Sequence, residues 1–303
     1  MASENPNTIT SWRHYVGGRR IDAYDVLASL RPGLMLDVGA AAGMMTKTML
    51  SRSPQSTVIA FEPFPGNHPH FARIVGDDPR VTLVKAAVGS KVGEQKFLVG
   101  RTVTGSEKGW EKFAGYSSAG SLIGDDYGRE SESISVSTVG IDDTIGDRHV
   151  RFVKIDVQGG EIGVLQSAER AISEHRIDFM LVEFTGHVKL LEYLLERRMT
   201  LFDAAYTLVP KRRRSRFSWK AMLYGTDRAD LTNWDISGTG TLSTGIKALR
   251  AWPRATSRTL GEFCLFLKEE RRRAGRFWTD LIVVAPHFRE EFTTAVSATT
   301  SRA

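Results

Sequence analysis

Two short segments, Leu36-Asp37-Val38-Gly39-Ala40-Ala41-Ala42-Gly43 and Phe61-Glu62-Pro63, combine carboxylates and glycines in a way that suits a nucleoside pocket. The apolar run Leu34 to Val38 reads as a buried parallel strand, and Gly39 and Gly43 let the chain turn tightly into a helix beside a ligand. Glu62 ends a second apolar run, Thr57 to Phe61. At that place in a βαβ unit a carboxylate can accept hydrogen bonds from both hydroxyls of a ribose. Dinucleotide sites use G-x-G-x-x-G to bring amides against a pyrophosphate, whereas this turn is G-x-x-x-G. Asp37 would repel a pyrophosphate but suits the cationic amino group of a methionine, bound directly or through water. S-adenosylmethionine therefore fits the turn better than NAD.

A second set of side chains suits proton transfer. Methyl transfer from a sulfonium requires an aligned acceptor and a group that takes its proton. Asp156 lies at the carboxyl end of the run Arg151 to Val157, and Glu161 lies five positions on, across Gly159-Gly160. Both can point into a cleft at the carboxyl ends of the strands, with Glu183 and His187 after the next strand. Asp156, Glu161 and His187 are the candidate catalytic residues. Glu161 also suits the first turn of its helix, where the dipole favours an anion, and His187 also reads as an exposed histidine at a helix start. Clustered carboxylates suit Mg²⁺, but no dedicated ligand spacing is present, so no residue is assigned to a metal. Ala86 and Ala87 are small where an adenine ring would lie, Asp142 and Asp143 read as caps of a short helix beginning at Thr144, and Ser117 and Ser118 belong to a long Gly- and Ser-rich loop that could close over a ligand.

Strands and helices alternate from Arg20 to Val209, as a doubly wound, mostly parallel sheet requires. Helices are expected at Ile21 to Leu30, Met44 to Ser51, Asn67 to Val75, Glu161 to Ser173 and His187 to Arg198. Strands are expected at Leu34 to Val38, Thr57 to Phe61, Val81 to Ala86, Arg151 to Val157, Phe179 to Phe184, Thr200 to Ala205 and Leu281 to Ala285. Ile134 to Val139 is expected to pair with Gln95 to Val99. The first 19 residues read as an N-terminal extension, 20–209 and 280–290 as the sheet domain, and 291–303 as a flexible polar tail.

The 303 residues carry a net charge of +6, and its distribution is uneven. Lys211 to Thr279 holds sixteen Lys and Arg against six Asp and Glu, together with Trp219, Trp234, Trp252 and Trp278. This basic, Trp-rich stretch reads as an insertion before the last strand that recognises an acceptor. Tryptophans stack on sugar rings, and arginines bind phosphate or carboxylate groups of an anionic glycan. A nucleic-acid acceptor and peripheral contact with anionic lipid through Ser257 to Arg273 rank below that reading. No apolar run approaches the roughly 20 residues of a membrane-spanning helix. With a polar start and the single cysteine Cys264, a cytoplasmic location is the expectation.

Several segments together resemble the FkbM-type methyltransferases, an S-adenosylmethionine-dependent family. They are Asp37 to Gly43 with Thr46, Phe61-Glu62-Pro63-Phe64-Pro65-Gly66-Asn67, Ala86-Ala87-Val88-Gly89, Ile141-Asp142-Asp143, Phe152 to Glu161, and Val182-Glu183-Phe184. The resemblance implies a class I (Rossmann-like) methyltransferase fold with a seven-stranded sheet and S-adenosylmethionine as methyl donor. It also implies a hydroxyl acceptor on a sugar, glycan or secondary metabolite. The implied cofactor-binding set is Asp37, Gly39, Ala40, Gly43, Thr46, Glu62, Pro63, Ala86 and Ala87. The family often has Asn where Ala41 stands and an acidic residue where Gln158 stands. Those two departures sustain a competing reading, a noncatalytic S-adenosylmethionine- or glycan-binding module.

Overall fold

The structure, a computed structural model, describes residues 9–19, 21–99, 117, 120–122, 132–184, 188–204 and 279–302. In chain order the strands are β1 (Ile9–Ser11), β2 (Leu34–Val38), β3 (Thr57–Phe61), β4 (Val81–Val84), β5 (Ala87–Val88), β6 (Gly93–Val99), β7 (Glu132–Val139), β8 (Val150–Ile155), β9 (Ile177–Phe184), β10 (Thr200–Asp203) and β11 (Thr279–Val284). The helices are α1 (Trp12–Tyr15), α2 (Ala23–Leu27), α3 (Met44–Arg52), α4 (His68–Val75), α5 (Ile141–Ile145), α6 (Glu161–Gln166), α7 (Glu169–Ser173), α8 (Val188–Glu196) and α9 (Arg289–Arg302).

The expected seven strands form one sheet in the order β10-β11-β9-β8-β2-β3-β4. Only β11 runs antiparallel to its neighbours β9 and β10; the other pairings within these seven are parallel. Helices cover such a sheet on both faces, so its strands are apolar along their length; every residue of β9 is buried. Chain order reverses between β2 and β8. In open α/β sheets a crevice opens at that switch point, beyond the carboxyl ends of the strands. Gly39, Glu62 and Asp156, the residues just beyond β2, β3 and β8, line that crevice.

Both ends of the described chain contribute to the core. From the N-terminal extension, β1 adds an eighth strand parallel to β10, and Trp12 is buried with its Nε1 donating to Ile21 O at 2.7 Å. The flexible tail expected after Glu291 is corrected to a helix, α9. Phe292, Ala295, Val296 and Thr299 recur at i, i+3, i+4 and i+7 and are buried. Phe292 meets the rings of Trp12, Phe179 and Phe202. The Ala, Ser and Thr content of this helix hides its apolar stripe from a composition reading.

β5, β7 and β6 form a separate three-stranded sheet. The expected antiparallel pairing is present, with Gln95 opposite Val136 and Phe97 opposite Ile134. Its inner face buries Ala87, Phe97, Val99 and Val136, against which Phe64 and Leu122 pack. The helix expected from Glu161 to Ser173 is divided into α6 and α7. The expected capping role of Asp142 is redirected: it lies in the first turn of α5, and its carboxylate accepts from the amides of Arg170 and Ala171 at the start of α7, at 2.8 and 2.9 Å.

Candidate active site

The turn after β2 is built by close approach of backbones. Gly39 has φ +80°, and a Cβ there would lie 2.0 Å from the Asp156 carbonyl oxygen. The Asp156 amide donates to Val38 O at 3.1 Å, so the loops after β2 and β8 are joined directly. Ala41 also has a left-handed backbone, φ +49°. That conformation points its amide at Glu62, whose Oε2 accepts it at 2.7 Å; Oε1 accepts the Phe64 amide at 2.8 Å. Each carboxylate oxygen has lone pairs to spare for a ligand. Burial pushes the Glu62 carboxyl up to about 7, against the pull of the Phe64 and Ala41 amides, Asn67 and Lys154.

Across the crevice, Lys154 is a cation inside an apolar strand. Its Nζ donates to Gly39 O at 2.8 Å and lies 3.6 Å from Asp37 Oδ1 and 3.4 Å from Asp156 Oδ2. Burial opposes its charge, but Asp156 and Asp37 reverse that effect and hold the ammonium well above its usual range. Asp37 has no exposed surface, and its Oδ2 accepts from the Thr46 hydroxyl at 2.6 Å. Asp156, by contrast, has a side chain 41% exposed. Desolvation works to raise the Asp156 carboxyl; Lys154 and hydrogen bonds to Gln158 and Glu183 outweigh it and hold the group below its usual range.

The remaining walls come from distant segments. Gly39, Glu62, Pro63, Ala86, Ala87 and Asp156 line a cavity of about 630 Å³, with Phe64 and Asn67 beside Pro63 and with Phe97, Val99, Ser117, Gly120 and Leu122 from the small sheet and the long loop. The Asn67 side chain clamps that loop: Nδ2 donates to Ser117 O at 2.7 Å and Oδ1 accepts the Ser117 amide at 3.0 Å. Leu98 and Ser121 exchange two backbone hydrogen bonds, and the Ser121 hydroxyl donates to Gln158 O at 3.0 Å. Among the described residues no group of three or more His, Cys, Asp or Glu side chains is placed to hold a metal ion.

The profile of the family described as "Methyltransferase FkbM domain" matches residues 37–208, more than half of the chain. The chain belongs to the FkbM methyltransferase family. Among solved structures, similarity is found to the precorrin-6y C5,15-methyltransferase from Geobacter metallireducens GS-15, with TM-score 0.33, 14% identity, and coverage of 59% of this chain and 72% of that one. A second is StiE O-MT residues 961–1257, with TM-score 0.36, 7% identity, and coverage of 96% and 78%. Both TM-scores are low. No curated protein matches the sequence.

In this FkbM methyltransferase the cavity brings together six of the residues singled out from sequence: Gly39, Glu62, Pro63, Ala86, Ala87 and Asp156. Five others lie behind it. Asp37 and Thr46 form a buried pair beneath the turn, and Ala40 is buried with its amide on Phe61 O. Gly43 caps α3 at φ +82°, where a Cβ would meet Val75 and Phe71 at 2.6 and 2.8 Å. Glu161 is likewise turned away from the cavity. It is 1% exposed, and its Oε1 accepts the amides of Gly159 at 2.9 Å and Val157 at 3.4 Å, so it braces the loop that carries Asp156. Burial raises its carboxyl despite those hydrogen bonds. His187, Ser118 and the 211–278 stretch lie outside the described residues. Sequence reasoning misses Lys154, although a lysine inside Val150-Arg151-Phe152-Val153-Lys154-Ile155 signals a buried charge that needs partners. Asn67 registers there only as part of a motif and a helix start, since its partner Ser117 is 50 positions away.

Proposed function

We propose that this FkbM methyltransferase uses S-adenosylmethionine to methylate a hydroxyl of a sugar, glycan or glycosylated metabolite. The observation that carries the reading is the pairing of two unlike carboxylates on one crevice. Glu62 is buried on the β3 side with lone pairs toward the cavity, and Asp156 is half-exposed on the β8 side and held ionised by Lys154. The residues fit the cofactor by their chemistry. Glu62 can accept both ribose hydroxyls, Ala86 and Ala87 leave room for a flat base beside Phe64 and Phe97, and Gly39, having no Cβ, lets the loops after β2 and β8 close against each other at the cavity wall. Bound S-adenosylmethionine supplies an electrophilic methyl group on a sulfonium.

The chain's own residues then have two tasks. Glu62, Gly39 and the loop held by Asn67 orient the donor half and exclude water. Asp156 accepts the proton of the acceptor hydroxyl, and Lys154 holds that carboxylate in its anionic, accepting form. The basic, Trp-rich 211–279 stretch is assigned to acceptor recognition on the strength of its composition. Calorimetry with S-adenosylhomocysteine tests the cofactor assignment, and absence of binding overturns it. Incubation with methyl-labelled S-adenosylmethionine and fractionated extract of the source organism tests the acceptor. Label entering saccharide-containing fractions, and lost in Asp156→Asn while S-adenosylhomocysteine still binds, is the expected result.

A further inference from the structure

The side chain of Gln158 stands between two carboxyl groups from different strand ends. Its Nε2 donates to Asp156 Oδ1 at 2.8 Å and to Glu183 Oε2 at 3.0 Å. Both partners are acceptors, so only the orientation with nitrogen inward satisfies the contact. Glu183, near the end of β9, is buried. Gln158 reaches this position from a left-handed backbone, φ +55°, an uncommon conformation for a residue other than glycine. The turn beneath it is fixed independently by Glu161 on the Val157 and Gly159 amides.

We propose that Gln158 is a positioning residue: its amide clamps Asp156 and Glu183 together across the ends of β8 and β9 and so fixes the Asp156 carboxylate at the cavity. This deepens the reading of Asp156 as the proton acceptor and rests on it. A glutamate at 158 would put a third carboxylate where this chain has a donor. Like charges so close cannot all ionise, and the pair would then retain protons that the amide expels. The other groups around Asp156 are Lys154, which also pairs with Asp37, and Glu161 and Tyr24, all of them shared by every Gln158 variant. Asp280, opposite Glu183 in the β9–β11 register, is shared as well.

The test is ¹³C NMR of side-chain carboxyl carbons in the full chain, with Asp156 and Glu183 assigned through Asp156→Asn and Glu183→Gln. In the wild type, Asp156 stays ionised from about pH 5 to 8. Gln158→Gly relaxes the positive φ, so its melting temperature holds or rises, yet Asp156 binds its proton about tenfold more tightly because a charge-assisted hydrogen bond is gone. Gln158→Glu preserves shape and raises the Asp156 midpoint further. A role confined to loop geometry would leave the Asp156 titration unmoved in both variants, and that result overturns the proposal. S-adenosylhomocysteine calorimetry on the same samples keeps the two readings separate. A wild type that fails to bind refutes the cofactor assignment, while the titration still decides the role of Gln158.

Discussion

Glu62 makes a quantitative test of the donor side of the site. Its carboxyl is pushed from 4.5 to about 7, chiefly by burial. The folded protein therefore holds this proton more tightly than the unfolded chain, and stability must fall as pH rises. The penalty is absent well below pH 4.5, grows through the interval to about 7, and is constant above it, where it reaches about 3 kcal/mol. Between pH 5 and 8 the change is about 2–3 kcal/mol. Glu62→Gln removes the titration. It brings a fixed cost of about 1–3 kcal/mol instead, because an amide nitrogen would face one of the two backbone donors, the amides of Ala41 and Phe64. Urea unfolding of both proteins from pH 5 to 8 isolates the effect, since other titrating groups cancel in the difference. Wild type should lose about 2–3 kcal/mol relative to Glu62→Gln across that range. In parallel, a ribose that donates both hydroxyls selects the ionised carboxylate, so the Kd for S-adenosylhomocysteine should rise about tenfold from pH 8 to pH 6. A stability difference that is flat with pH, together with a pH-independent Kd, would show that Glu62 is neither desolvated nor on the ribose.

Two substitutions probe the turn after β2. In Gly39→Ala the new Cβ starts 2.0 Å from the Asp156 carbonyl oxygen, against 3.4 Å for ordinary contact, so the two loops must part. S-adenosylhomocysteine affinity should drop about 100-fold, the scale of a 1 Å misplacement in a site, and wild-type affinity would show that the loops are not in contact. Ala41→Asn places an asparagine at a position with φ +49°. Asn enters the left-handed region more readily than Ala, so denaturant unfolding should show a gain of about 0.5–1 kcal/mol, and a loss of stability would contradict the backbone geometry.

Local pattern makes much of this protein legible before any contact is known. Predominantly apolar runs of five to eight residues mark β2, β3, β8 and β9, and the residues just beyond them must lie at the crevice because ligands in such sheets bind at the carboxyl ends. Gly39, Glu62 and Asp156 are found on that argument. Lys154 is not, because two of its three partners, Asp37 and Gly39, belong to the segment of β2, which pattern alone does not connect to it.

The alternation of strands and helices, the membership in the FkbM methyltransferase family and the strand ends that carry acids are all readable from the chain itself. Which of those acids face the cavity is a matter of packing. Asp37 and Glu62 both end apolar strands, yet Asp37 lies opposite Lys154 in the β2–β8 register and is spent on that cation and Thr46, while Glu62 keeps lone pairs toward the cavity. Asp156 and Glu161 stand five positions apart, but one accepts from side chains above the turn and the other from amides beneath it. The α9 stripe and the Asn67 clamp are equally hidden, their partners lying far along the chain. Propensity and period act over a few residues, whereas burial, charge pairing and hydrogen-bond satisfaction depend on which distant segments the packed sheet brings together.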